Sequence, residues 1–366
     1  MFGRAIVKSL MLTANLVVVF ILLLTILGSK ISPEKFIIPA YTTLFFPLTI
    51  LVNAFFVFFW IFARKWQFLI SLVFLFIAAS QVAETIPLHF GQTDSNLKPN
   101  LTILSYNTML NGGLKKHTQE SPNLVIQYII DTDADIVCIQ EFSISKKKGF
   151  LTENDILKAL KKYPYHQINY NQFNSWCISG NATFSKFPIV DEGIINFDAK
   201  HQDAQFSDIK INNQIFRVFN VHLESNKLTS KDRALPLALK DEFNTQKLTG
   251  TTRHLSYKLG TAYKERAKQA DIIVKEIKKS PHKVIICGDF NDVPTSYAYT
   301  VIKNNYKDAF AETGFGLGWT YNESIFRFRI DYILYDASIH LVNYNKSFVK
   351  YSDHYPIQGS FYISKI

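Results

Sequence analysis

The sequence predicts an α/β domain of layered, largely antiparallel sheets with helices outside, preceded by three apolar helices of membrane-spanning length. Three observations carry that expectation. Residues 1–90 are strongly apolar, and only Glu34 and Glu84 carry negative charge there. Residues 101–366 mix short strand-like runs with amphipathic helical ones. Those strand-like runs repeatedly end in Asn, Glu, Asp or His. The divisions fall at 1–84 for the apolar anchor, 85–100 for a linker and 101–366 for the folded domain.

In the anchor, Leu10–Leu27 is an uncharged apolar run that can cross a bilayer core, which takes about 20 helical residues. Ala40–Ala63 is a second such run, and Gln67–Ala83 a shorter third. A cleaved signal peptide would be shorter, would end at a small-residue site and would not be followed by further apolar runs. Arg4 and Lys8 precede the first run and Arg64-Lys65 join the second to the third, so both groups belong on the cytoplasmic side. Lys30 and Lys35, with Glu34, give a weaker opposing signal between the first two runs. Three spans make the chain an integral membrane protein in contact with the lipid bilayer. They also place everything after Ala83 outside the cytoplasm. Residues 85–100 (TIPLHFGQTDSNLKPN) lose the apolar pattern and gain Pro, Gly, Asn and Ser, as a linker does.

In the folded domain, strand-length runs rich in Ile, Val, Phe and Tyr occur at Leu101–Tyr106, Ile136–Gln140, Cys177–Phe184, Gln214–Val221, Val284–Cys287, Ile330–Leu334 and Ile357–Ile363. Gln205–Ile211 and Gln214–Val221 read as a hairpin turning at Asn212-Asn213. Ser121-Pro122 suits the start of a helix ending near Asp131, and Asn154 can cap Asp155–Lys162. Thr261–Lys279 is amphipathic, with Ala267, Ala270, Ile273, Val274 and Ile277 on one stripe. The segment Asn226–Gly260 is long, polar and irregular. Its Lys227, Lys231, Arg233, Lys240, Lys247, Arg253, His254 and Lys258 outnumber Asp232, Asp241 and Glu242. It reads either as a solvated, partly helical insertion or as a basic lid over an anionic substrate.

The net charge is +10, and six basic against two acidic residues put four of those charges in residues 1–90. The remaining surplus is mild for so long a domain; it permits an anionic partner and equally serves solubility. Cys138 and Cys287 sit inside apolar runs as small hydrophobes, and with Cys177 they form neither a disulfide framework nor a zinc-type spacing. No internal repeat is present.

The chemistry lies at the strand ends. LTILSYN ends at Asn107, DIVCIQE at Glu141, RVFNVH at His222, and KVIICGDFN brings Asp289 and Asn291, with Gly288 allowing close backbone approach. The chain finishes with Asp331 in IDYIL and Asp353-His354 in SDHYP. Singly, each has a plain structural reading: a turn cap for a carboxylate, a satisfied core position for His222, local backbone bonding for Asn107. Together they are strand-end residues that one sheet edge can gather. Oxygen ligands from Asn, Glu and Asp suit Mg²⁺ or Mn²⁺ rather than structural zinc. Hydrolysis of an anionic phosphodiester calls for such a set: a cation to neutralise the phosphate, a carboxylate to take a proton from water, and a histidine to give one to the leaving alkoxide.

SYN at Asn107, IQE at Glu141, GNATFSKFPI at 180–189, NVHLES at 220–225, GDFND at 288–292, RIDYIL at 329–334 and SDHYPI at 352–357 resemble, in order, the motifs of the endonuclease/exonuclease/phosphatase superfamily, which is deoxyribonuclease I-like. The resemblance covers residues 101–366 and excludes the anchor. It implies a four-layered α/β sandwich, two stacked, mostly antiparallel sheets flanked by helices, with the site at one rim. It implies that Asn107 and Glu141 bind the metal, Glu141 foremost, and that Asp353 helps position a metal or water. Asp289 would then be the general base and Asn291 would orient water and phosphate. His354 would contact the phosphate with its ring held by Asp331, and His222 would supply a hydrogen bond or a proton. The expected activity is a membrane-anchored, metal-dependent phosphoester hydrolase, a phosphodiesterase on nucleic acid or a phospholipid head group, with no protein partner inferred. The alternatives are a phosphomonoesterase of inositol-phosphate type and a non-catalytic binding module with the same fold.

Overall fold

The computed structural model describes residues 2–89, 97–197, 203–227, 229, 232, 245–323 and 327–364. By its contacts the chain divides into two compact units. One comprises Met1–Thr85, Ser225–Lys268 and Val293–Thr300, the other Ile86–Glu224, Gln269–Asp292 and Val301–Ile366.

The first unit corrects the expectation of three spanning helices. Of the described helices, only Phe2–Gly28 contains a stretch, Ala5–Gly28, long and apolar enough to cross a membrane. The second apolar run is interrupted: Ile38–Thr43 ends at Leu44, and a new helix, Phe46–Phe62, begins with Pro47 in its first turn. Proline has no N–H to continue the preceding ladder, and the 17 residues left span about 25 Å, short of a bilayer core. The third run bends by 64° between Phe68–Ile77 and Ala79–Thr85 and counts as a span only if both pieces are taken together. Leu22, Ile26, Phe46 and Ala78 pack as the core of these helices. Asn15 lies buried among them, donating to Ser71 Oγ at 2.6 Å and accepting from Trp60 Nε1 at 2.9 Å.

This unit also holds the front part of the long helix Thr245–Lys278, which begins well before the expected Thr261. Tyr41 donates to the Ser256 carbonyl at 2.8 Å and meets Tyr263 edge-on, and a Cβ at Gly260 would collide with the Tyr41 hydroxyl. Thr295 donates to the Thr43 carbonyl. Of the expected insertion, Lys231, Arg233 and Lys240 lie outside the described residues, while Lys258 pairs with Asp232 at 2.7 Å.

The second unit is two stacked six-stranded sheets. Its strands are β1 (Leu101–Asn107), β2 (Ile136–Ser145), β3 (Tyr165–Phe173), β4 (Cys177–Ser185), β5 (Ile189–Asn196) and β6 (Asp203–Ile211). They continue with β7 (Gln214–His222), β8 (Lys283–Asp289), β9 (Lys307–Asp308), β10 (Asp331–Tyr335), β11 (His340–Lys346) and β12 (Ile357–Tyr362). The orders are β11-β12-β1-β2-β4-β3 and β5-β6-β7-β8-β10-β9. Both sheets are mixed: β1–β2 and β7–β8 are parallel at the centres, and the other pairings are antiparallel.

Strand periodicity explains the layering. On β2, Ile136 and Cys138 face the core between the sheets with Ile285, Cys287 and Ile333. Val137 and Ile139 turn outward to Val125, Ile126 and Ile129 of the helix Leu124–Thr132. That helix is capped by Asn123, not by the expected Ser121-Pro122, because the Asn123 side chain accepts from Val125 and Ile126 N–H. Likewise Thr152 replaces the expected Asn154 as cap, forming a capping box with Asp155 at the head of Glu153–Ala159. The hairpin of β6 and β7 forms as expected, with Ile211 opposite Gln214.

Candidate active site

Parallel strands finish side by side, and both central pairs finish in polar residues. In the second sheet, His222 at the end of β7 stands opposite Asp289 at the end of β8. Asp331, the first residue of β10, stands opposite the same Asp289. In the first sheet, β1 ends at Asn107 beside Gln140 of β2, and Glu141 follows. Glu141 sits on a bulge: Ile139 pairs with Ala182 and Phe142 with Gly180, so β2 carries one residue more than β4 there, and Glu141 takes φ 53°. That conformation costs about 1 kcal/mol for a side chain with a Cβ.

Asn107 joins the two sheets. Its Nδ2 donates to Glu141 Oε1 at 3.3 Å and to Asp289 Oδ2 at 3.0 Å, and its Oδ1 accepts from Met109 N–H at 3.2 Å. Asp289 is fully buried. Its Oδ1 accepts the Asn291 N–H at 2.8 Å, and Asn291 Nδ2 reaches the Leu223 carbonyl and Asp289 Oδ2. Asn291 holds its own bend at φ 51°, and at Gly288 a Cβ would run into the Val221 carbonyl, so glycine is required for the close approach of β8 to β7. His354 Nδ1 lies 2.8 Å from Asp331 Oδ2, and its Nε2 lies 3.7 Å from Asp289 Oδ2. His222 Nε2 lies 3.9 Å from the same oxygen. Asp353 accepts from Ser352 Oγ at 3.2 Å.

Every one of the eight residues singled out in the sequence therefore belongs to the second unit. Seven are joined to one another by contacts centred on Asp289, and Asp353 acts on Glu141 and His354 through its charge. Sequence reasoning missed Thr320, whose hydroxyl accepts the N–H of both Ile330 and Asp331, and Tyr321, whose ring meets His354 edge-on at 5.2 Å. They stand in an irregular stretch with no strand pattern to flag them.

Crowded charge sets the electrostatics. Burial, together with the charge of Asp353, raises the Glu141 carboxyl above its ordinary range. Burial also pushes Asp289 up to about 6, against the opposing pull of His354. Burial depresses His222, with Asp289 only partly compensating, so its imidazole favours the neutral form. Burial alone would depress His354 too, but Asp331 and Asp289 outweigh it and hold that ring well above the usual histidine range.

Two groupings could hold a cation. Asp289, Asp331 and His354 offer ligand atoms within 4.8 Å of one another. The Asp331–His354 bond already accounts for their closeness, since it occupies Nδ1 and favours an imidazolium that repels metal. Glu141 and Asp353 instead offer carboxylate oxygens near enough for the charge of Asp353 to raise Glu141, with no basic side chain bonded to either carboxylate among the described residues, and Asn107, which turns its Nδ2 to Glu141, would offer Oδ1 to an ion once its amide is turned over. A hard divalent ion fits that set, because it would relieve the like charges that raise Glu141.

Two stacked mixed sheets bring acid, amide and imidazole side chains together at the ends of their central strands. Residues 104–354 match the model of the Endonuclease/Exonuclease/phosphatase family, and the chain belongs to that family of phosphoester hydrolases. A domain of unknown function matches residues 8–85. The CCR4-Not complex 3'-5'-exoribonuclease subunit Ccr4 of Aspergillus terreus is 23% identical over 279 residues, covering 60% of this chain and 41% of that protein. Its counterpart from Aspergillus niger is 23% identical over 241 residues, covering 55% and 36%. This chain thus spans about two fifths of the length of those relatives. Among solved structures, an endonuclease/exonuclease/phosphatase from Beutenbergia cavernae is similar with TM-score 0.50 and 13% identity over 72% of each chain. The human Nocturnin catalytic domain with bound sulfate anion is similar with TM-score 0.50 and 17% identity, over 73% of this chain and 96% of that one. At those identities the likeness is one of fold.

Proposed function

We propose that the chain is a membrane-anchored, divalent-metal-dependent phosphodiesterase whose substrate is a nucleic acid or a phospholipid head group. The observation that carries this reading is the meeting of Glu141, Asn107 and Asp289 through one amide, with His354 and His222 converging on the same Asp289 oxygen. Glu141 and Asn107 would hold Mg²⁺ or Mn²⁺, with Asp353 beside them. That ion supplies charge neutralisation and polarisation of the phosphoryl group.

The chain's own residues divide the remaining tasks. Asp289, raised toward neutral pH, takes the proton of the attacking water. Asn291 fixes the Asp289 carboxylate through its N–H and orients water and phosphate. His354, kept cationic by Asp331, faces the phosphoryl oxygens with Nε2 and stabilises the charge that builds on them. His222, neutral in the resting site and 3.9 Å from Asp289, would hydrogen-bond the leaving oxygen and pass to it the proton that Asp289 takes from water.

The stretch Ala5–Gly28 supports anchoring, and Arg4 just before it with Lys8 in its first turns favours a cytoplasmic N-terminus with the hydrolase outside. Similarity to exoribonuclease subunits favours nucleic acid over lipid. The test is hydrolysis by the full chain of RNA, plasmid DNA, sphingomyelin, inositol phosphates and a chromogenic phosphodiester, each with Mg²⁺, Mn²⁺ or chelator. Metal-dependent cleavage of a diester supports the reading. Chelator-resistant cleavage, or cleavage of monoesters alone, overturns it.

A further inference from the structure

Asn220 and Gln140 have no part in the chemistry above, yet both are fully buried beside it. Asn220 lies two residues before His222 on β7, and Gln140 immediately precedes Glu141 on β2, so they belong to different sheets. Their side chains meet across the sandwich: Gln140 Nε2 donates to Asn220 Oδ1 at 2.7 Å. Asn220 Nδ2 in turn donates to the Ile139 carbonyl at 3.2 Å and to the Ala182 carbonyl at 2.9 Å. Ile139 and Ala182 are the last paired residues before the bulge that turns Glu141 out of the ladder. From the other side, the Gln140 carbonyl accepts Thr108 N–H at 3.0 Å and the Glu141 carbonyl accepts Ser143 Oγ at 2.9 Å.

A bulge with a left-handed glutamate persists only where its surroundings over-determine it. We infer that Asn220 and Gln140 are positioning residues, a cross-sheet strut that fixes the Glu141 bulge at a set distance from the strand ends bearing His222 and Asp289. An apolar pair of the same shape would avoid desolvating two amides, and Gln140 Oε1 has no hydrogen-bond partner among the described residues. A polar pair in a core does fix alignment, because only one registration of the sheets satisfies it. Asn107 completes the link on the rim, bonding Glu141 and Asp289 directly.

The inference rests on Glu141 holding the metal, so its test separates the two. In the full chain, Mn²⁺ affinity, thermal unfolding without metal, kcat and KM are measured for Gln140→Met, the double variant Gln140→Leu/Asn220→Leu and Glu141→Gln. The double variant is expected to fold with an unfolding temperature a few degrees lower, because the Ile139 and Ala182 carbonyls lose their Asn220 bonds, while binding Mn²⁺ about 10–100-fold more weakly, as loss of a supporting shell does. Its kcat falls with little change in KM. Gln140→Met keeps the side-chain shape and the two Asn220 backbone bonds; it loses several-fold in Mn²⁺ affinity and covers the case in which the double variant does not fold. Wild-type Mn²⁺ affinity in a folded strut variant overturns the inference. Wild-type affinity in Glu141→Gln overturns the metal-site reading instead.

Discussion

The apolar helices of residues 2–85 and the strand ends of the sandwich both bury polar side chains, and they do so in opposite ways. Among the helices the buried groups are neutral and pair with one another: Asn15 with Ser71 and Trp60, Gln81 with Ser29 at 2.9 Å. Such bonds tie apolar helices to one another. At the strand ends, Glu141, Asp289, Asp331 and Asp353 crowd together, and two of them are driven above their ordinary range. That crowding opposes folding, so it marks the place where the protein keeps charge for a purpose other than stability.

The contrast breaks most sharply at Asp289. Replacing it with alanine is expected to lower kcat by about 10³-fold, measured on the diester the full chain cleaves fastest, because one Asp289 oxygen lies within 4 Å of both histidines and of the Asn107 amide. Replacing it with asparagine should likewise remove activity yet stabilise the metal-free protein at neutral pH by about 1–3 kcal/mol. The sign follows from linkage. Unfolded aspartate titrates near 4 and folded Asp289 at about 6, so the folded state binds the extra proton. Stability of the metal-free protein therefore falls as pH rises from about 4 to about 6, and the loss is complete above that window. Chemical denaturation of wild type and Asp289→Asn across this range checks it; the two curves should converge at low pH.

In the helices the same kind of change has the opposite outcome. Asn15→Leu leaves Trp60 Nε1 and Ser71 without their partner and should destabilise that unit by about 1–2 kcal/mol, read by unfolding in detergent, with kcat unchanged. The smallest effect is expected at a helix cap that belongs to neither region. Thr152→Ala removes a capping box and should cost about 1 kcal/mol with no change in activity.

What the sequence made legible follows from where periodicity is strong. The central strands β1, β2, β7 and β8 are buried on both faces, so their apolar runs stand out and their polar ends stand out with them. Edge strands β3, β5 and β11 alternate partly exposed residues without a clear apolar face, and they gave no such signal. Apolar length alone misjudged the anchor, because Pro47 and the bend at Ala78 cut runs that composition joins. Asn220 and Gln140 lay in plain view inside quoted motifs. A polar residue inside a buried strand, one or two places before a functional one, was the available signal, and only the meeting of two sheets shows what it does.

The partition of roles at the rim is tested most directly by the dependence of hydrolysis on Mg²⁺ concentration in wild type, Glu141→Gln and Asp289→Asn. Glu141→Gln should need at least about 10-fold more Mg²⁺ and regain part of its activity at saturation, because a weakened ligand set is still filled by mass action. Asp289→Asn should stay inactive at every concentration, because no metal level restores a missing base. Identical Mg²⁺ midpoints for wild type and Glu141→Gln, or recovery of Asp289→Asn by metal alone, would contradict the assignment.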